Sequence, residues 1–403
     1  MIETITIFSA LLLIAMLIEP LAKRLKLPFS SFLVVIGFVG SELIVAMGFD
    51  TGLRWDDFVG IILHLLVPII IFESAFNANF KALCANLATV LYLAIPCMLF
   101  AAGVTGYLLF LAIGDQINFP LTSALLAGII LSATDPVAVV AIFKQLGAPA
   151  RLNALLEGES LFNDVTAIVV FTLLIGMSLN TTEVTGTTEA VAFFLKSFAG
   201  GVVVGIVVGW IAKNLYRLCS NHFGHTLLGI IAAIFTFYIA EHLLHVSGVV
   251  AVLSAGLLLG EFYRSEENTD NKFAAEFWEL NAYIANAILF ILVGVTITVS
   301  MFTGQWFAML LGIIAATIAR GLVVYGLLPA FTLIPAIVKI DSNYKNVMMW
   351  GGLRGAVSLS LALSIPTEIE AWYTVQSIVY GVVVFTLFVQ TPFINKLVVK
   401  TLK

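Results

Sequence analysis

Charged side chains are scarce in this chain of 403 residues. Lysine, arginine, aspartate and glutamate make up 11% of it, against about 25% in soluble globular domains. Apolar residues make up 61%, and the mean hydropathy is +1.09. Because so few polar side chains are available to meet water, the composition excludes an ordinary soluble domain and indicates an integral membrane protein.

Cysteines and targeting signals are also sparse. Cys84, Cys97 and Cys219 form no Cys-x-x-Cys pair, so neither a disulfide framework nor a thiolate metal site is expected. Residues 1–20 lack the basic segment and the small-residue cleavage site of a signal peptide, and we expect them to form a first span. Alternating segments typical of outer-membrane barrels are absent, so the apolar runs are expected to be helices. No soluble domain is expected before or after the spans.

About thirteen apolar runs approach or exceed the length of about 20 residues that a helix needs to cross a bilayer. The eighth and ninth runs are nearly continuous, and the fourth and eleventh are long enough to be tilted. Their approximate extents are 4–18, 28–48, 58–76, 85–113, 121–146, 158–178, 189–213, 225–245, 247–263, 280–300, 304–337, 344–366 and 371–395. We therefore predict an all-α membrane fold with about thirteen transmembrane helices, in one membrane domain spanning residues 1–403.

Basic residues divide the connections between the runs into two sets. Of the nineteen lysines and arginines, fifteen lie in or beside alternate connections, whereas Arg54 and Lys196 lie in the other set. Positive charge marks the cytoplasmic side. The N-terminus is therefore predicted to lie outside and the C-terminus in the cytoplasm, which an odd number of spans satisfies. The last two basic residues, Arg320 and Arg354, lie inside apolar runs.

Two aspartates also lie inside apolar runs, where a charge costs roughly 2.5–3.5 kcal/mol on insertion scales. Asp135 stands between Thr134 and Pro136, and a proline breaks or kinks a helix because it lacks a backbone donor. Transporters use broken helices of this kind to build ion sites near the midplane. The alternative is a simple kink in which Asp135 caps the second half-helix.

The second aspartate, Asp164, shares a helix face with Ser160, four residues earlier, as Glu159 does with Asn163. One face of this helix can thus present a hydroxyl and a carboxylate to a small cation. For Glu157 we favour an interfacial position near the start of the helix.

The intramembrane arginines are expected to pair with carboxylates. Neither Arg320 nor Arg354 reaches water easily from the centre of a run, although snorkelling to the interface is the alternative. Four acids exceed these two arginines by two negative charges: Glu73, Asp135, Glu159 and Asp164. A buried surplus of this kind must hold a proton or a metal cation, or be wetted. The pattern predicts a site that H⁺ and Na⁺ occupy in turn.

Three strings carry a resemblance to a known family. They are A-T-D-P-V-A-V-V from residue 133, G-E-S-L-F-N-D-V-T-A-I-V-V-F from residue 158 and G-G-L-R-G-A-V-S-L-S-L-A-L from residue 351. Over most of its length the chain resembles the first cation/proton antiporter family, and within it the prokaryotic Na⁺/H⁺ antiporters of the NhaP type. The adjacent Asn163 and Asp164 are the hallmark of this branch, whose relatives carry Asp-Asp.

The resemblance implies a homodimer of thirteen-helix protomers, with two inverted six-helix repeats flanking the seventh helix. Broken fifth and twelfth helices are expected to cross near the midplane, at Thr134–Pro136 and Gly351–Gly355. The long cytoplasmic tails of eukaryotic members are not expected here. Scaffold and dimer helices are expected in about 1–80 and 189–300, and core ion-transport helices in about 85–178 and 304–398.

The resemblance also implies roles for the site residues. Asp164 is expected to bind Na⁺ and H⁺ alternately, with a set of co-ligands: Ser160, Glu73, the main chain of Thr134 and, through water, Asp135. Three further residues and a partner are expected to support it. Glu159 is expected to pair with Arg320, Arg354 is a further supporting residue, and Asn163 is expected to be structural.

The expected function is a secondary antiporter, not an enzyme, that exchanges Na⁺ or Li⁺ for H⁺ across a prokaryotic cell membrane by alternating access. Electroneutral one-for-one exchange is expected because Asn163 adds no charge beside Asp164. The expected partners are Na⁺, H⁺, the lipid bilayer and a second copy of the chain, without a cofactor or a nucleic acid. A K⁺/H⁺ antiporter stays open. Rivals from other classes are an intramembrane aspartyl protease, whose Tyr-Asp and Gly-x-Gly-Asp motifs are absent, and a passive channel, which needs a continuous pore.

Overall fold

The computed structural model describes residues 2–25, 29–48, 56–136, 139–140, 143, 150–182, 184, 186–219, 221–265, 270–331 and 342–402. Within these ranges all regular structure beyond a single isolated bridge is helical. The prediction of an all-α protein is therefore confirmed for the part of the chain that the structure describes.

The helices follow one another with short connections. The first half of the chain forms α1 (Ile2–Leu25), α2 (Phe29–Ala46), α3 (Asp56–Ile61), α4 (Val67–Asn77), α5 (Phe80–Ala85), α6 (Leu87–Tyr92), α7 (Met98–Ile117), α8 (Leu121–Ser132) and α9 (Ala150–Ser178). The second half forms α10 (Thr187–Tyr216), α11 (His222–Tyr238), α12 (Gly248–Ser265), α13 (Asp270–Thr296), α14 (Val299–Gly321), α15 (Leu328–Phe331), α16 (Ser342–Gly351), α17 (Ala356–Leu363), α18 (Trp372–Phe385) and α19 (Thr391–Leu402). Among the described residues, π-helical turns extend or join these helices at Ile62–Leu66, Leu93–Cys97, Ile239–Leu243, Leu322–Leu327 and Thr386–Gln390.

Ten of the described helical stretches are long and apolar enough to cross a bilayer, so the chain is a multi-pass membrane protein. They are Phe29–Ala46, Val59–Asn77, Leu87–Gly114, Arg151–Ser178, Thr187–Tyr216, Phe223–Leu243, Gly248–Ser265, Lys272–Thr296, Val299–Ala330 and Trp372–Ile394. Three further predicted runs fall on α1, on α8 and on the pair α16 and α17, which are shorter or broken in their apolar part. Most of the predicted run 121–146 beyond Pro136, and the end of the run 304–337, lie outside the described residues.

Two groups of helices pack side by side, and α9 contacts both. Helices α2, α4, α10, α12 and α13 form one group, and α7, α8, α14 and α18 form the other. Small residues allow the closest approaches within the first group. Gly37 of α2 lies against Gly294 of α13, where a Cβ on either would meet the other backbone.

Helices α8 and α16 each end inside an apolar run, and the chain continues from each of them in an extended conformation. Helix α8 ends at Ser132, because Pro136 cannot supply the donor that a continued helix needs. Helix α16 ends in a glycine-rich segment. The extended pieces meet where the Asp135 N–H donates to the Leu353 carbonyl at 2.8 Å. A Cβ at Gly355 would overlap the Asp135 carboxylate, so the two breaks can lie this close because residue 355 has no side chain.

Candidate functional site

Helix α9 carries most of the predicted site residues, and it begins earlier than the sequence indicates. Its first residue is Ala150, whereas the apolar run begins at residue 158. Polar residues such as Arg151 lower the hydropathy of the first turns and hide the start of the helix. Glu157 consequently lies about two turns inside α9, where it is half-buried and lines a cavity. The prediction that it lies near the start of the helix is wrong.

A cavity of about 400 Å³ lies beside α9 at the end that carries Glu157. We call it the inner cavity, because it reaches Asn77 and Ala78, close in the chain to the basic connection at Lys81. Its described polar lining is Glu73, Ser74, Asn77, Glu157, Ser160, Asp164 and Glu279. Four carboxylates thus line one cavity, and no lysine or arginine stands among its described lining residues.

Asp164 and Ser160 lie one helical turn apart in this wall. Asp135 lies close enough to Asp164 for their negative charges to interact. Glu73 reaches the cavity from α4 and is fixed there by its neighbours, since its carboxylate accepts hydrogen bonds from Asn77 Nδ2 at 2.8 Å and from Ser74 Oγ at 3.3 Å. The three predicted oxygen ligands Glu73, Ser160 and Asp164 therefore face one space.

Glu279 belongs to the same wall and was missed by the sequence reasoning. It lies on α13, one residue before the predicted apolar run that starts at residue 280. Its neighbour Trp278 packs on Phe72 of α4, with ring centroids 4.2 Å apart, and this contact brings Glu279 beside the Glu73 segment. No sequence signal marks it, because its place depends on how α13 packs on α4.

On another face of α9, Glu159 forms an ion pair with Arg320 of α14, with Nη1 and Oε1 2.5 Å apart. Glu159 is 2% exposed. The Arg320 guanidinium also donates to the Met348 carbonyl, at 3.2 Å from Nε and 3.1 Å from Nη2. The pair and the bonds to Met348 connect α9, α14 and α16, while Oε2 of Glu159 is buried without a hydrogen-bond partner among the described residues.

Asn163 lies one turn beyond Glu159 and is also 2% exposed. Its Nδ2 donates to the Ser132 carbonyl at 2.9 Å and to Thr134 Oγ1 at 3.2 Å. A carboxylate at this position would place an acceptor against the Ser132 carbonyl oxygen. The amide therefore secures the broken end of α8 in a way that an ionised aspartate cannot.

Arg354 makes no direct ion pair with a carboxylate among the described residues, although its charge interacts with that of Glu159; a direct pair stays a prediction. It is 7% exposed, and its Nη1 donates to the Ala133 carbonyl at 3.3 Å. Ser358 Oγ donates to the same carbonyl at 3.3 Å and to the Ile130 carbonyl at 2.9 Å. The end of a helix presents carbonyls with partial negative charge, and the end of α8 thus serves Arg354 in place of an acid.

The predicted ligands do not all line the same cavity. Those at the helix break, Thr134 and Asp135, are not among the lining residues of the inner cavity. The Thr134 side chain accepts from Asn163, and Thr134 lines a small cavity together with the Glu159–Arg320 pair. The Asp135 carboxylate lies against Gly355. Pro136 is the residue of this break that lines the inner cavity.

A second cavity of about 370 Å³ lies toward the opposite end of α9, and we call it the outer cavity. It is bounded by residues of α4, α9, α10, α11 and α12 and of the turns that precede α4 and α12. Its described polar lining is His64, Thr172, Ser197, Glu241, His245 and Ser247.

Along α9 and α4, only a short layer of residues lies between the linings of the two cavities. On α9 the inner cavity reaches Asp164 and the outer cavity begins at Ile168, about 6 Å farther along the axis. On α4 the corresponding step runs from Ile70 to Val67, or about 4.5 Å. We call this layer the seal; Val67, Val165 and Ile168 belong to it and are buried.

Oxygen atoms provide the cation-binding capacity of the inner cavity. Carboxylate and hydroxyl oxygens are the ligands of hard cations, and a carboxylate also binds a proton. A wall with charges of one sign raises the local concentration of cations. The arrangement can therefore take up a small cation or a proton at Asp164.

The chain is similar to several known membrane proteins. Residues 8–400 match a family described as sodium/hydrogen exchanger, transmembrane. The Na⁺/H⁺ antiporter ApNhaP of Aphanothece halophytica is 37% identical over 338 residues, which cover 82% of this chain and 62% of that protein. The chain thus matches less than two thirds of the length of this relative. The Na⁺/H⁺ antiporter NhaH of Halobacillus dabanensis is 31% identical over 403 residues, covering 96% of each chain.

A solved structure shares the fold. The sodium proton antiporter MjNhaP1 from Methanocaldococcus jannaschii, at pH 8, matches with a TM-score of 0.82 over 99% of this chain and 98% of that one. The two sequences are 21% identical, so this likeness concerns the fold alone.

Proposed function

The chain belongs to the sodium/hydrogen exchanger family, and we propose that it exchanges Na⁺ for H⁺ across the cell membrane as a secondary antiporter. The inner cavity carries this proposal. Asp164 stands there with three further carboxylates, and no lysine or arginine is among the described lining residues. Such a wall attracts cations and can release a proton as one arrives. As a member of an exchanger family, the chain is a transporter and not an enzyme.

Asp164 is the proposed carrier. A single carboxylate holds either Na⁺ or H⁺, so the two compete and each transport step moves one of them. Ser160 and Glu73, which line the same cavity, act as further ligands of Na⁺. The main chain of Thr134 completes the set, and Asp135 acts through water.

Exchange is proposed to be electroneutral, with one Na⁺ for one H⁺. Asp164 is neutralised by either substrate, and its neighbour Asn163 carries no charge. The hydrogen bonds of Asn163 to Ser132 and Thr134 give a structural reason for an amide at this position. The Glu159–Arg320 pair is internally neutral and holds the helices around the carrier.

The position of the two cavities supports alternating access. Both are bounded by α4 on one side and by α9 on the other, and the seal between them is about one helical turn thick. We propose that core helices within about 85–178 and 304–398 move against a scaffold of about 1–80 and 189–300. Asp164 then opens to one cavity at a time, and a displacement of about one helical turn is enough.

The proposed topology has thirteen spans, with the N-terminus outside and the C-terminus in the cytoplasm. Ten long apolar helices, together with α1, α8 and the broken pair α16 and α17, account for that number. The bias of the basic residues supports the orientation. We propose two inverted six-helix repeats flanking α10, and a homodimer formed through the scaffold helices.

Purified protein in vesicles that contain a pH-sensitive dye tests the exchange. Protons should move when Na⁺ or Li⁺ is added on the opposite side, and Asp164→Asn should abolish this movement. Glu157→Gln is the matched control: it removes a carboxylate from the same cavity that is not a proposed ligand. It should retain exchange, with a somewhat higher Na⁺ requirement.

Substantial Na⁺-dependent proton movement in the Asp164→Asn variant would refute the assignment of the carrier. The same assay across Li⁺, Na⁺ and K⁺ fixes the cation, because these ions use the same oxygen ligands. A response to K⁺ alone would identify a K⁺/H⁺ antiporter instead.

A further inference from the structure

We propose that Glu241 forms a second, weaker cation-binding site in the outer cavity, from which the central carboxylate is loaded and unloaded on that side. The inference rests on the proposed exchange at Asp164. It assigns a role to a residue that lies outside the inner cavity and outside the predicted ligand set.

Glu241 lies in the π-helical turn Ile239–Leu243 and is half-buried in the wall of the outer cavity. Among the described lining residues it is the one carboxylate. The hydroxyl groups of Thr172, Ser197 and Ser247 line the same cavity. A volume of about 370 Å³ admits a cation with part of its hydration shell, since a water molecule occupies about 30 Å³. The cavity therefore offers a charge, oxygen ligands and room for water.

Capping of the first turn of α12 does not explain why residue 241 is a carboxylate. The Gly248 N–H donates to Glu241 Oε2 at 2.8 Å. Helix α12 nevertheless has its own capping side chain, because Ser247 Oγ accepts from the Val250 N–H at 3.3 Å. A glutamine oxygen could accept from Gly248 in the same way. The helix start thus explains an acceptor at residue 241, but not its negative charge.

The location of Glu241 in the outer cavity indicates a function for its negative charge. The deep end of the outer cavity is formed by Ile168, one turn beyond Asp164 on α9. A cation that leaves Asp164 toward this side enters this cavity, whose described lining holds Glu241 as its one carboxylate. The other ionisable side chains in the described wall are the imidazoles of His64 and His245, and His242 stacks on His64 with ring centroids 6.2 Å apart.

Membrane vesicles of the two orientations test the proposal, because they expose Na⁺ to one face of the protein at a time. Glu241→Gln keeps an acceptor for Gly248 and removes the charge. From the outer face, we expect the Na⁺ concentration for half-maximal proton movement to rise about two- to fivefold, as for loss of one partly exposed ion pair. From the inner face it should not change. Glu279→Gln, the matched change in the inner cavity, should show the reverse pattern.

Equal shifts from both faces, or no shift in the Glu241→Gln variant, would overturn the proposal. Glu241→Ala separates the charge from the helix contact. It should match the affinity shift of the glutamine variant from the outer face, and lower the thermal stability further because the Gly248 N–H loses its acceptor. A shift in the alanine variant alone would make Glu241 a helix cap and no cation site. Absence of Na⁺-driven proton movement in the wild type would instead refute the exchange itself.

Discussion

Replacing Asn163 by leucine tests whether the amide secures the broken end of α8. Leucine has a similar volume and removes both hydrogen bonds that Nδ2 donates, to the Ser132 carbonyl at 2.9 Å and to Thr134 Oγ1 at 3.2 Å. The Oδ1 atom of Asn163 is buried and accepts from no described donor, so nothing further is lost there. The perturbation is therefore confined to two known bonds.

The expected loss of stability depends on what each acceptor can do once its hydrogen bond from Asn163 is removed. The buried Ser132 carbonyl is left without the Asn163 donor, which costs about 1–3 kcal/mol. The Thr134 hydroxyl can rotate, so its loss is smaller. Thr134→Val is the matched control: it removes only the longer bond and should cost about 0.5–1.5 kcal/mol. Because the two variants share one interaction, the double variant should cost less than the sum of the single ones.

Equilibrium unfolding in mixed detergent micelles, followed by tryptophan fluorescence, measures these differences. Proton movement in vesicles should show a higher Na⁺ requirement for Asn163→Leu, because the Thr134 main chain is no longer held in place. If Asn163→Leu is as stable as the wild type, the amide does not secure α8. If the two single losses add to within about 0.5 kcal/mol, the residues act independently and the reasoning fails.

Two further predictions concern buried charge and thiol reactivity. Arg320→Ala should destabilise the protein by about 3–5 kcal/mol, because Glu159 would be left ionised and buried; Glu159→Gln in the same chain should restore much of this in the unfolding assay. Burial raises the pKa of the Cys84 thiol above its ordinary value of 9.0, and the Glu261 carboxylate raises it further. With less thiolate at neutral pH, Cys84 in a Cys219→Ser background should react slowly with an impermeant maleimide at pH 7 and faster as the pH rises beyond 9. Glu261→Gln should speed the reaction at pH 7, and labelling from the outside of cells would contradict the proposed orientation.

The helix breaks were predictable because their causes are local. Pro136 cannot donate in a continued helix, and the glycines at 351, 352 and 355 permit extended chain. The bridge between Asp135 and Leu353 has no such local cause, since it joins segments far apart in the chain; only the crossing of the two breaks was expected, from the resemblance to a family. The start of α9 was misplaced because hydropathy does not detect a helix whose first turns are polar.

At the site, sequence reasoning found the residues on α9 and missed those placed by packing. Glu279 owes its position to the contact of Trp278 with Phe72. Arg354 was expected to pair with a carboxylate, yet the Ala133 carbonyl at the end of α8 accepts a hydrogen bond from it. Both positions depend on contacts between segments far apart in the chain, and such contacts leave no pattern in a single sequence.

The thinness of the seal has an electrical consequence. A hydrocarbon layer of about 30 Å normally carries the whole membrane potential, whereas here the linings of two cavities come within about 4.5–6 Å of each other along α4 and α9. If water fills the cavities, the field across the seal is about five times the average field. An unloaded Asp164 carboxylate that crossed the seal would experience most of the potential, or about 2.3 kcal/mol per 100 mV. The forms neutralised by Na⁺ or H⁺ would cross almost unaffected. The membrane potential therefore acts on the empty carrier alone, opposing its crossing in one direction and assisting it in the other.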